Sequence, residues 1–228
     1  MEKITINELI DFRRKSDKSK KLLAFKIKNR KSKEKPKDDD SGGGNYWITS
    51  TSCISNVFKN NDEQQYDSKI NELYSKLKDN QIKRIKTMYQ RNIDILNTFK
   101  DFKFDELKPS GKLKYLQVPK LFKTVVVNNF PLYINPSILY SFERNGKNEL
   151  GALLLIPKIE GYKKIELGMF CETLYKFLIK NYSDNYQIAL DYCVVVDTIN
   201  VQKIQYKELL SGDIPFLIDT TLKELNSL

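Results

Sequence analysis

The chain has 228 residues and not one histidine. Ser-His-Asp and Cys-His nucleophilic catalysis, imidazole bases and His-ligated zinc are therefore excluded. Chemistry would have to rest on carboxylates, lysine, tyrosine or a carboxylate-bound metal. Four residues around one segment have the right types: Glu143, Glu149, Lys158 and Glu166. Carboxylates brought together hold a hard cation such as Mg²⁺, and a lysine beside them stabilises developing negative charge. The competing reading puts Glu143, Lys147 and Glu149 on the exposed flanks of a turn. Asp197 ends an apolar run, where ligands bind in open α/β sheets and where Asp also forms turns. Asp38, Asp39 and Asp40 lie beside lysines, a pattern more often solvated and charge-compensated than metal-binding. Cys53, Cys171 and Cys193 include no CxxC pair and read as small core residues in a reducing compartment. No cofactor is expected, and Mg²⁺ enters only if the four hairpin residues converge.

Charge is the second chemical signal. The net charge is +10. Residues 1–37 hold fourteen Lys or Arg against five acids, a balance of +9, which leaves 25 against 24, or +1, for the rest. Such a block attracts polyanions through long-range steering and counterion release. Candidate phosphate-contacting residues are Arg13, Arg14, Lys15, Lys18, Lys20, Lys21, Lys28, Arg30 and Lys31. Lys83, Arg84, Lys86 and Arg91 join them from a helical stretch further on. The alternative is a lysine-rich surface that serves solubility alone. The single tryptophan, Trp47, has the chemistry to stack on a base, but its setting favours a place in the core.

These residues need elements to hold them. "ITINELIDFRRKS" suits a short strand or turn entering a short helix, and the alternation of Leu23, Phe25 and Ile27 predicts a half-buried strand. Residues 29–44 contain no apolar group and are expected to form a mobile linker that folding does not require. Domain organisation follows: a basic segment over 1–44, then one domain over 45–228. "NYWITSTSCISNVFK" places a Ser/Thr cluster where a helix N-cap belongs. Residues 67–100 lack Gly and Pro and show apolar residues every three or four positions. This predicts one long amphipathic helix, or two broken near Asp79-Asn80.

Strands follow. Asn128-Asn129 marks a turn, and Pro131 limits its strand to an edge or a strand start. Asn145-Gly146 is the strongest hairpin signal in the chain. "LGALLLIP" is continuously apolar and predicts a central strand covered on both faces. A core-facing helix with Cys171 on its buried side comes next, of the length needed for a crossover between parallel strands. "DYCVVVDTINVQKIQY" predicts another buried strand and hairpin, and Asp219 is a candidate cap for the closing helix. The expected class is α+β with an α/β-like core: a mixed sheet in the order αβββαβ, flanked by helices and preceded by the basic extension. No run approaches eighteen uncharged apolar residues, and "MEKITINELIDFRRK" is charged where a signal peptide needs an apolar stretch. A cytoplasmic protein without membrane partners is expected.

The helix-strand-strand-strand-helix-strand order, with "INPSILYSFERNGKNELGALLLIPK" and "ELGMFCETLYKFLIKNY", resembles the core of the PD-(D/E)XK nuclease superfamily over residues 67–210. The resemblance implies an acid after the Pro that opens one hairpin strand and a D/E-x-K triplet on the next, together placing Mg²⁺ beside a phosphate. Here those positions hold Ser137 and Ala152-Leu153-Leu154, so the resemblance implies the fold while the residues withhold the activity. The function expected from it is a non-catalytic nucleic-acid-binding or scaffolding subunit, as in microbial defence or DNA-processing complexes. Two alternatives stand beside it: a Mg²⁺-dependent nuclease with relocated carboxylates, and a structural subunit that binds other proteins.

Overall fold

The computed structural model describes residues 2–30 and 46–228. The protein is α+β. Its short first strand, β1 (Ile4–Thr5), leads into α1 (Ile6–Arg14) and α2 (Asp17–Lys28). Three helices follow, α3 (Ile48–Asn60), α4 (Gln64–Asp79) and α5 (Lys83–Lys100). Strands β2 (Lys114–Leu116), β3 (Thr124–Val127), β4 (Phe130–Tyr133), β5 (Ile138–Arg144) and β6 (Lys147–Ile156) precede α6 (Lys164–Tyr182). Then come β7 (Gln187–Asp197), β8 (Gln202–Gln205), α7 (Tyr206–Leu210) and α8 (Ile218–Ser227).

The central sheet runs β2-β5-β6-β7-β8. Asn145 and Gly146 both take positive φ, 54° and 72°, as a two-residue hairpin turn with the native twist requires. That turn joins β5 to β6 in antiparallel register from Ile138 opposite Leu153 to Arg144 opposite Lys147. Strand β6 then pairs in parallel with β7 across the α6 crossover. Side chains of β6 alternate between two cores. Leu150, Ala152, Leu154 and Ile156 face one, while Leu153 and Leu155 face the other, which is why this strand is apolar throughout. Gly151 lies at a register shift in the β6–β7 pairing, and a Cβ there would come within 2.8 Å of the Tyr140 ring.

With β3 and β4 set aside, elements α5, β2, β5, β6, α6 and β7 come in the order αβββαβ. The Asn128-Asn129 hairpin forms with φ of 48° and 65°, but it is inserted between β2 and β5. It belongs to a second sheet of order β1-β4-β3. Strand β1 lies parallel to β4 and reaches only Leu132 and Tyr133, so Pro131, the second residue of β4, needs no donor for it.

The sheet separates two helical layers. Helices α1, α2, α6, α7 and α8 contribute to one core, and α3, α4 and α5 to the other. Ile4, Leu9, Ile10, Phe12, Ala24 and Ile27 all lie in the first core, so the boundary drawn at residues 44 and 45 does not divide the core. The long apolar run breaks as expected: Asn80 is extended and its Oδ1 accepts the Ile82 N–H at 2.8 Å.

Three local expectations need correction. Residues 17–28 are helical, not a strand. Leu23, Ala24 and Ile27 form an inward face at helical spacing, and Lys, Leu and Ala are good helix formers. The Ser/Thr cluster does not cap α3; Ser50 lies inside the helix, and buried Asn92 of α5 accepts its N–H at 3.0 Å. Nor does Asp219 cap α8. The helix begins at Ile218, and the carboxylate of Glu172 on α6 accepts the Leu217 and Ile218 N–H groups, each at 3.0 Å. Burial raises the Glu172 carboxyl above its ordinary range despite those two bonds.

Candidate nucleic-acid interface

The four carboxylate and lysine candidates occupy opposite ends of β6. Glu143 is exposed beside the hairpin turn. Glu149 is 4% exposed and fully engaged: Arg144 Nε donates to Oε1 at 3.0 Å and Nη2 to Oε2 at 2.6 Å. The same guanidinium reaches Asp191 at 2.6 Å and lies against both the Phe142 and Tyr192 rings. Two carboxylates hold the Arg144 pKa above its ordinary value. Lys158 follows β6 at its far end, with Nζ 5.1 Å from the Tyr162 ring centroid. Glu166 lies in the first turn of α6. At about 3.3 Å per strand residue, Glu149 and Lys158 are more than roughly 20 Å apart, so these residues do not converge on one cation.

Where the family resemblance would require acids, the chain packs itself. Ser137 donates its N–H to Leu153 O at 2.9 Å, and its Oγ accepts the Leu155 N–H at 2.9 Å. Ala152 is fully buried and Leu154 7% exposed, both within the first core. Among the described residues no group of three or more acids or cysteines is placed to hold a metal ion.

Asp197 ends β7 completely buried. Its carboxylate accepts the Tyr162 N–H at 3.1 Å, the Ile199 N–H at 2.9 Å, the Asn200 N–H at 3.4 Å and the Asn200 side-chain amide at 3.2 Å. It organises the loops after β6 and β7 and has no acceptor capacity to spare. The three cysteines are buried and free; desolvation pushes the Cys53 thiol up to about 11. Trp47 packs partly buried against the second core, edge-on to Tyr46 at 4.5 Å.

The basic candidates divide into those that hold the fold and those that face solvent. Arg14 grips Glu166 with Nε–Oε1 2.7 Å and Nη2–Oε2 2.6 Å. Arg30 Nη1 reaches Glu8 at 2.6 Å, and its Nε reaches Glu2 at 3.3 Å. Lys20 pairs with Glu224 at 2.6 Å, Arg13 donates to Thr221 Oγ1 at 3.0 Å, and Lys28 donates to Asn226 O at 2.8 Å. Arg91 bonds the Tyr46 hydroxyl at 2.9 Å. By contrast, Lys15, Lys18, Lys21, Lys83 and Arg84 are exposed and Lys86 half-buried, and all six make no ion pair among the described residues. Lys31 and Asp38–Asp40 lie outside the described residues, as does the expected linker beyond Arg30.

Two features escape sequence reading. Lys18, Lys21, Leu22, Phe25 and Lys26 share the outer side of α2, with Leu22 62% and Phe25 67% exposed. A strand over the same residues would have turned Phe25 inward. Second, the cations of α2 and those of α5 stand on opposite sides of the central sheet, because the two helices feed opposite cores.

The ion pairs of the N-terminal segment carry a pH signature. Burial would raise the Glu166 carboxyl, but the Arg14 bonds and the Lys163 N–H outweigh it and the net shift is downward. Glu8, held by Arg30 and Thr5, shifts downward for the same reasons. A carboxyl with a depressed folded pKa stabilises above its unfolded pKa and loses that contribution as pH falls through the folded value. Protection of the α1 amides, corrected for the intrinsic exchange rate, is therefore expected to fall as pH drops below about 4.5. In Glu166→Gln the acid-induced step shrinks; an unchanged step would show that this pair does not hold α1.

Fold and surface together define an α+β protein with cations on both helical layers that make no ion pair among the described residues. No protein-family model, no curated protein and no solved structure matches the chain. No helix among the described residues is long and apolar enough to cross a membrane.

Proposed function

We propose that this protein is a non-catalytic nucleic-acid-binding subunit that docks the phosphate backbone on the outer face of α2. The observation that carries the reading is the row Lys18, Lys21 and Lys26, exposed and without ion pairs among the described residues, with Lys15 at the preceding corner. Cations fixed on one side of a helix neutralise successive phosphates without reading bases. Phe25 in the same row offers a ring on which a single-stranded base stacks. The αβββαβ element order supports the likeness to nuclease-type domains, and the apolar packing around Ala152 and Leu154 supports the non-catalytic half. The separation of Glu149 from Lys158 lends no support to a relocated Mg²⁺ site. A protein-docking role is the second reading, favoured by the exposure of Leu22 and Phe25 themselves.

Incubation with mixed-sequence duplex and single strand at about 50 mM salt should give saturable binding that weakens steeply towards 200 mM. The bound strands should remain intact with Mg²⁺ or Mn²⁺. Cleavage that disappears in Glu143→Ala or Glu149→Ala would overturn the non-catalytic assignment. Absence of binding to either nucleic acid would leave the protein-docking role in its place.

A further inference from the structure

We infer a phosphate-oxyanion site in the cavity between α3 and the loop that precedes β5. The cavity measures about 300 Å³ and is lined by Thr51, Ser55, Asn56, Lys59, Asn135 and Ser137 among others. Its wall contains no carboxylate, so a cation finds no charged ligand there. Donors dominate instead. Lys59 is exposed and makes no ion pair among the described residues; its Nζ stands 5.8 Å from the Tyr115 ring centroid. The Asn56 and Asn135 side-chain amides form no hydrogen bond to another described residue.

Ser137 adds a further donor. Its Oγ already accepts the Leu155 N–H at 2.9 Å, which leaves the hydroxyl proton to donate into the cavity. Thr51 and Ser55 differ: their hydroxyls donate to Trp47 O at 2.9 Å and Thr51 O at 2.8 Å, so they shape the wall without supplying protons. A lysine, two side-chain amides and one hydroxyl among the residues that line a small open cavity match the several acceptor oxygens of a phosphoryl group, the flexible Lys59 side chain swinging from Tyr115 to meet it. The phosphoryl group belongs either to a nucleic-acid backbone, which rests on the function proposed above, or to free phosphate. The site lies on the α3–α5 side of the sheet, away from α2, so it is a separate contact and not an extension of the α2 row.

Titration of the isotopically labelled protein with inorganic phosphate, and separately with a mixed-sequence single strand, distinguishes these sources. Saturable shifts at the Ser55, Lys59, Asn135 and Ser137 amides are expected, weakened about tenfold in Lys59→Gln and in Asn135→Ala. If the backbone is the occupant, the single strand competes with phosphate, and its salt slope falls by about 0.7 in Lys59→Gln. Phosphate shifts that depend on Lys59 in a chain that binds no nucleic acid would keep this site and remove the proposed function. Nucleic-acid binding with an unchanged slope in Lys59→Gln, together with no phosphate shifts at these residues, would overturn the site and leave the function standing.

Discussion

Replacing Lys15, Lys18, Lys21 and Lys26 together with glutamate is expected to abolish measurable nucleic-acid binding at physiological salt while leaving the melting temperature nearly unchanged. Each cation removed from a phosphate contact takes about 0.9 from the duplex salt slope, so four contacts remove between three and four. None of the four is paired within the described structure, and surface substitutions of that kind shift stability by only about 0.5 kcal/mol. The control is the opposite pattern. Arg14→Glu and Arg30→Glu should destabilise the fold, because each places a second carboxylate against Glu166 or Glu8. Binding that survives the quadruple reversal with its slope intact would disprove docking on α2.

Asp197→Ala is expected to cost about 3 kcal/mol or more, since removing a buried acceptor leaves donors unpaired at roughly 1–3 kcal/mol each. Three backbone amides and the Asn200 side chain lose their partner at once. Gly161 leaves no slack to compensate: it holds φ +66°, and a Cβ there would fall 1.8 Å from Asn200 Nδ2. Denaturant unfolding reads the effect directly, and a loss below about 1 kcal/mol would show that water replaces the carboxylate. Asp197→Asn keeps one acceptor oxygen and should fall between the two.

Much of the scaffold is written locally. Asn145-Gly146 and Asn128-Asn129 announce their turns because few residues tolerate positive φ at two successive positions. The uninterrupted apolar run of β6 and the length of α6 together specify a buried parallel pair. What stays hidden depends on distant partners. Asn92 serves α3 from 42 residues away, and Glu172 serves α8 from 45, so neither cap has a sequence signature. Residues 23, 25 and 27 satisfy strand alternation, while 23, 24 and 27 satisfy a helix equally well; packing against α1 and α8 decides.

The candidate site was legible as composition and not as geometry. The excess of positive charge over residues 1–37 is plain, yet nothing local reveals that Arg14, Lys20 and Arg30 are tied to acids elsewhere while Lys18 and Lys21 pair with none among the described residues. The hairpin carboxylates show the same limit. Their proximity in sequence says nothing about a ten-residue strand that carries Glu149 and Lys158 apart.

The N-terminal strand and helices close against much later parts of the chain: Ile4 against Leu132, Arg14 against Glu166, Lys20 against Glu224. During synthesis this segment cannot complete its contacts until β4, α6 and α8 have all been made. The strongly cationic stretch over residues 1–37 is therefore made long before its acidic partners Glu166 and Glu224, and until they emerge its charge is open to any polyanion nearby.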